Sequence, residues 1–386
     1  MRRGTKIQKL KQALPGIVKD VRHYAKPRVK LHNEGLGDYY TEGYRSLNQR
    51  EWKGVRDTAY DFASWLKVYG YMAVTLGKHP VALTKSFVRY PWMASYLTVA
   101  NMLDRHKLGL RGKQLRYTQE QFYGVVHNSV DVIAKIIERD ENLNSPNNKR
   151  AAKLRAKTVM FDEMTPSIIM AGFPMLDWID IAMSPVCLPG EVDQNANIMY
   201  VDAAERMGLA ADVCPLPSAE VGCAIVDDYP QVGSSFITSS MPCDGSLGAA
   251  LFMDRYMKKL PSFTLTPPQR FNEPETNAYA VKDLKNCIRF IEETYHVKWD
   301  WDAFWEKAEE YNKTTQCMLD KWDVNCTPYP QVIGSALSLQ REYEFQTAAC
   351  LDPFMTKQDE KVTKMMLKGY EKDREADRRD YKYRAI

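Results

Sequence analysis

The sequence predicts an α/β protein in which a mostly parallel, Rossmann-like sheet occupies the middle of the chain, with helical regions before and after it. Three observations carry this. Apolar residues recur at three- and four-residue steps from Glu51 to about Glu141. Short apolar runs alternate with helical stretches between about Val159 and Pro268, as βαβ units require. Helical periodicity then returns from Asn277 onward. This divides the 386 residues into a basic arm with a helical region (1–150), an α/β segment (151–270) and a helical C-terminal region (271–386).

The elements follow in order. Trp65, Val68, Tyr69 and Met72 share one helical face, as do Val126, Val130, Ile133 and Ile137. Pro80 and Pro91 cut the first region into shorter helices, and Arg105 to Arg116 reads as a basic connection. Asn142 to Asn148 (Asn-Leu-Asn-Ser-Pro-Asn-Asn) is rich in turn formers and is expected to be a linker. Ile168 to Phe173, Ala211 to Val213, Phe236 to Met241 and Phe263 to Thr266 read as strands. Asp202 to Met207, Ser218 to Asp228 and Ser246 to Lys259 read as the helices between them. Leu284, Ile288 and Ile291 form a stripe on a helix from Val281 to Tyr295, and another helix starts at an N-cap near Asp300 or Asp302. Thr356 to Arg384 is crowded with mixed charge and reads as a solvated, salt-bridged helix.

Composition narrows the function classes. A net charge of +4 is small for this length and by itself argues neither for nor against nucleic acid; no nucleic-acid partner is expected. The first thirty residues hold ten Lys or Arg against one acid, Asp20, without the apolar stretch of a secretory signal, and read as a solvated basic arm. No apolar run is long enough to span a membrane. The eight cysteines all lie between Cys187 and Cys350 and do not form the dense framework of a small secreted domain, so reduced thiols in a cytoplasmic protein are expected. There is no Cys-x-x-Cys pair, and any cluster must gather its ligands across the fold.

Other chemistries find no support. Gly35-Leu36-Gly37 has Tyr40 where a dinucleotide fingerprint needs glycine, and Gly109 to Lys113 lacks the Walker A spacing. The six histidines include no His-Glu-x-x-His arrangement, and no Gly-x-Ser-x-Gly elbow is present. Cys214 and Cys243 remain. Each is expected where an apolar strand gives way to a loop and then a helix. A thiolate at a helix entrance faces N–H groups and the positive end of the helix dipole, a setting suited to ligating a metal or cluster. The competing reading for each is a buried structural thiol, which is also the reading for Cys187 and Cys223.

Gly172-Phe173-Pro174-Met175-Leu176-Asp177-Trp178-Ile179-Asp180, Pro185-Val186-Cys187-Leu188-Pro189-Gly190-Glu191, Asp212-Val213-Cys214 and Pro242-Cys243-Asp244-Gly245 together resemble the iron–sulfur subunits of 2-hydroxyacyl-CoA dehydratases and benzoyl-CoA reductases, over about residues 168–345. The resemblance implies a [4Fe–4S] cluster held by three cysteines, with Cys214 and Cys243 at the matching positions. It also implies a companion subunit, an ATP-hydrolysing activator that injects one electron, and radical chemistry on an acyl-CoA thioester, by a lyase or an oxidoreductase. Glu191 and Gln194 fall near the family's substrate-contacting loop. The family's third cysteine lies in a second α/β domain that would begin about where this sequence ends. The expected source of the third ligand is therefore Cys326, Cys350 or a separate chain. A non-catalytic partner or scaffold subunit that has lost the cluster is the alternative.

Overall fold

The computed structural model describes residues 51–105, 108–162, 167–192, 196–240, 245–246, 248, 260–268, 273–334, 336–350 and 352–379. Four short strands form one sheet: β1 (Thr158–Phe161), β2 (Asp177–Asp180), β3 (Ser235–Ser239) and β4 (Ser262–Leu265). All pairings are parallel and the order is β2-β1-β3-β4. Val159 stands opposite both Trp178 and Ser235, and Ile237 opposite Phe263. The expected α/β fold with helical flanks is present.

Side-chain alternation explains why the sheet is covered on both faces. Val159, Phe161, Ile237 and Leu265 point to one side, where they meet Cys287 and Ile291 of α8 (Pro274–Tyr295). Met160, Ile179 and Phe236 join the larger core on the other side. That core is built from α1 (Val55–Leu76), α2 (Pro80–Arg89), the 3-10 segment Pro91–Asn101 and the long α3 (Gly112–Arg139). It also takes in α6 (Ile198–Arg206) and α7 (Pro215–Ile225). Val126, Val130, Ile133 and Ile137 are buried on α3 as their spacing predicts. At its end, Lys135 reaches Asp177 at 3.0 Å, while Arg139 pairs with Asp177 and donates to the Thr158 hydroxyl at 3.2 Å. The N-terminal helical region is thereby fixed to the first residues of β1 and β2.

The expected linker is a hydrogen-bonded turn. Leu143 is buried within it, Asn144 Nδ2 donates to the carbonyls of Ile137 and Asp140 at 3.0 Å, and Asn148 caps α4 (Lys149–Arg155) by accepting from Ala151 N at 3.1 Å. Core residues on both sides of this turn share one cluster.

Two expected strands are not strands. Ile168 to Phe173 forms a 3-10 turn, Ser167–Gly172, because it seats the start of α9 (Trp301–Asn325) rather than pairing. Asp300 N donates to Gly172 O at 2.9 Å, Phe173 meets Trp299 edge to face at 5.3 Å, and a Cβ on Gly172 would lie 2.5 Å from the Trp299 ring. Ala211 to Val213 is an exposed turn with too few apolar residues to enter a sheet. The strand beside β1 is instead Asp177–Asp180, whose acidic ends hid it. Asp300 is the N-cap of α9, accepting from Asp302 N and Ala303 N at 3.0 Å.

The expected solvated C-terminal helix also needs correction. After α10 (Ala336–Cys350), α11 (Pro353–Glu375) buries Met355, Val362 and Met366 together with Asp359. Asp359 pairs with the fully buried Lys321 of α9, which lies 3.5 Å from Glu344. The mixed charge therefore conceals a buried stripe. The basic arm, residues 1–50, and most of Ser246 to Lys259 lie outside the described residues. Among the described residues no helix is long and apolar enough to cross a membrane.

Candidate functional site

The strand order places the chain's change of direction at β1 and β3, where parallel sheets open a crevice beyond their carboxyl ends. Asp162, just past β1, is buried there, and its Oδ2 accepts from Ser239 N at 3.1 Å while its own N–H donates to Ile237 O at 3.3 Å. Ser240 N donates to Leu265 O at 2.8 Å, which continues the ladder to the end of β3. Cys243 follows three residues later and lies outside the described residues, as does Gln194.

The carboxyl end of β2 leads through Ala182 into the turn Met183–Cys187 and the short helix α5 (Leu188–Val192). Asn197 Nδ2 donates to Val186 O at 2.9 Å, and a Cβ on Gly190 would lie 2.5 Å from that same nitrogen. The glycine of the Cys187-Leu188-Pro189-Gly190-Glu191 run is therefore needed for close packing. Glu191 is half-buried. Burial, joined by Cys187 and Glu191, pushes the hydroxyl of fully buried Tyr96 up, and that hydroxyl donates to Ser184 O at 3.1 Å.

Cys214 is exposed and occupies the N-cap of α7, with φ −48 and ψ 132. Its carbonyl accepts from Ser218 N at 3.3 Å and from Ser218 Oγ at 2.9 Å, and its thiol makes no capping bond. The helix entrance is as expected, but the preceding strand is not. The helix opens Pro215-Leu216-Pro217, and both prolines lack an N–H, so only Leu216 offers its amide in front of the thiol. Leu216 itself packs against Ala182 and Cys187. The structure therefore brings together the N-terminal turn of α7 and Cys187 beyond β2.

Sequence reasoning read Cys187 as core, and burial agrees, yet its position beside the turn of Cys214 follows only from the contact with Leu216. It also passed over an acidic group behind this region. Tyr229 is buried with no hydrogen-bond partner for its hydroxyl among the described residues. Burial raises its pKa well above the usual range, and Glu220, Cys223, Asp180 and Asp162 push it further. Cys223 is core as read, its thiol pushed well up by burial and Asp228, and burial pushes Cys287 up to about 12. Cys326 is exposed at the far end of α9, and Cys350 ends α10. Among the described residues no three cysteines meet.

A doubly wound parallel sheet with a thiol-bearing helix entrance at its carboxyl side is the class of protein defined so far. Residues 192–383 match the family model described as 2-hydroxyglutaryl-CoA dehydratase, D-component. This segment, about half of the chain, is thus similar to the 2-hydroxyacyl-CoA dehydratase family, and Cys214 and Cys243 both fall inside it. No curated protein matches the chain.

Proposed function

We propose that this chain is an iron–sulfur subunit of a cytoplasmic 2-hydroxyacyl-CoA dehydratase, working with a companion subunit and an ATP-hydrolysing activator on an acyl-CoA thioester. The observation that carries the reading is Cys214, an exposed thiol at a helix N-cap that takes no part in capping, inside a segment matched by a dehydratase component. Cys243, three residues past Ser240 at the end of β3, is the second proposed ligand. The donor chemistry fits an iron–sulfur cluster: an accessible free thiol at a helix entrance, in a region with no described disulfide. When bound, the cluster would supply one-electron chemistry that general acids and bases lack. Cys187, behind Leu216, and a thiol of a separate chain are the candidates for the third ligand.

The residues of the chain have their own tasks. Pro215 fixes the backbone at the first position of α7, and Ser218 holds the Cys214 carbonyl from below, so the thiol is presented by a rigid turn. Gly190 and Asn197 fix the short helix that carries Glu191 against Val186, and Glu191 and Gln194 would meet the polar part of the thioester. Asp162 locks the ends of β1 and β3 together through Ser239, giving the crevice a fixed floor.

The test is anaerobic purification of the chain alone and with its co-encoded partner, followed by assay of iron, sulfide and sulfur-to-iron charge-transfer absorption. Equal iron and sulfide in the complex is expected. Their absence from both preparations would refute the reading.

A further inference from the structure

On α3, His127 and Asp131 stand one helical turn apart, and Asp352 at the N-cap of α11 meets them. One donor atom from each of the three side chains lies within 4.8 Å of the others. The geometry points to a divalent transition-metal site of the zinc–cobalt type at His127, Asp131 and Asp352, separate from the proposed cluster.

Four observations support it. First, His127 Nδ1 is buried without a hydrogen-bond partner and stands 3.4 Å from Asp131 Oδ2, too far for a good hydrogen bond in this setting. That spacing is close to the roughly 3.4 Å that separates two donors placed about 2.1 Å from one tetrahedral ion. Secondly, each donor is already oriented. The imidazole is sandwiched between Tyr71, at 4.0 Å and 18°, and Phe354, at 3.6 Å and 12°. Tyr71 donates its hydroxyl to Asp131 Oδ1 at 2.5 Å, the outer-shell contact that commonly fixes a ligating carboxylate. Asp352 accepts from Phe354 N at 2.9 Å through Oδ1, which leaves Oδ2 for an ion.

Thirdly, the charges suit a dication. Two carboxylates and a neutral imidazole, the form of histidine that ligates, together carry two negative charges. Lys67, which lies 3.6 Å over the neighbouring Tyr123 ring, is turned toward Glu120 at 3.4 Å. Fourthly, the site is accessible. His127 is nearly buried, whereas the Asp131 side chain is 36% exposed, so an ion can enter and water can complete its shell. An ion here would tie α3 and the Asp352 cap of α11 together, joining the N-terminal helical region to the last helix.

The test uses the full chain stripped of metal by a chelator and titrated with Co2+. One equivalent is expected to bind with ligand-field bands and no thiolate-to-metal charge transfer, to be displaced by Zn2+, and to raise the unfolding temperature. His127→Gln and Asp352→Asn should each weaken binding at least tenfold, and Tyr71→Phe about tenfold. Asp352→Asn keeps an N-cap residue, so α11 retains its start and the loss of binding is read on a folded protein. Absence of saturable Co2+ binding up to millimolar concentration would overturn the proposal. So would affinity unchanged in both His127→Gln and Asp352→Asn, or a spectrum showing thiolate ligation.

Discussion

Asp140 ends α3 almost completely buried, and its replacement by asparagine gives a test of how the turn between the helical region and the sheet is held. The carboxylate accepts from Asn142 N and Gln231 N, both at 3.1 Å, and from the hydroxyl of buried Tyr90. Burial raises its pKa from 3.8 to about 6, against the opposing effect of these bonds and of Arg89. The folded state therefore binds the proton more tightly than the unfolded chain does. Its contribution to stability is fully present below about pH 4 and is lost as the pH rises through 6. At 1.36 kcal/mol per tenfold change in proton affinity, moving the midpoint from 3.8 to about 6 corresponds to about 3 kcal/mol. Asp140→Asn keeps an oxygen for the two backbone donors and offers an amide to the Tyr90 hydroxyl, while removing the titration. Urea unfolding of both proteins at intervals from pH 4.5 to 7.5 is the assay. The stability of the wild type relative to the variant should fall by about 2–3 kcal/mol across that range and level off above pH 7. A difference independent of pH would refute the reasoning.

Lys321→Met leaves Asp359 and Glu344 buried without their cation and should cost about 3–5 kcal/mol, read from the urea midpoint, with a cost under 1 kcal/mol contradicting the pairing. Gly222→Ala would place a Cβ 1.7 Å from Tyr200 O, where α7 crosses α6, and the backbone shift it forces should lower stability by about 1–3 kcal/mol in thermal unfolding. Cys214→Ser should leave the stability of the apo chain unchanged or raise it by up to about 1 kcal/mol, since serine is a better N-cap than a thiol that makes no capping bond; clear destabilisation would mean that the thiol is structural.

Much of the fold was legible because its signals are local. The stripe of α3, the Asp300 cap and the apolar run of β3 depend on residues a few positions apart, and they stand where periodicity placed them. What was misread depended on distant partners. Ile168 to Phe173 is apolar enough for a strand, but Trp299, more than a hundred residues on, turns it into a seat for α9. Asp359 looked solvated because its cation, Lys321, lies on another helix. At the candidate site a helix entrance after Cys214 was legible, although the helix begins at Pro215 rather than at the expected Ser218, whereas the approach of Cys187 through Leu216 needed the tertiary structure. The His127, Asp131 and Asp352 group was hidden for the same reason: two of its members are four residues apart, and the third arrives with α11.

Iron and acid-labile sulfide in the anaerobically isolated complex, compared among the wild type, Cys214→Ser, Cys243→Ser and Cys326→Ser, test the central claim most directly. The account predicts equal iron and sulfide in the wild type and in Cys326→Ser, whose exposed thiol lies at the far end of α9, and loss of both in the other two. Iron retained in Cys214→Ser or in Cys243→Ser would contradict it.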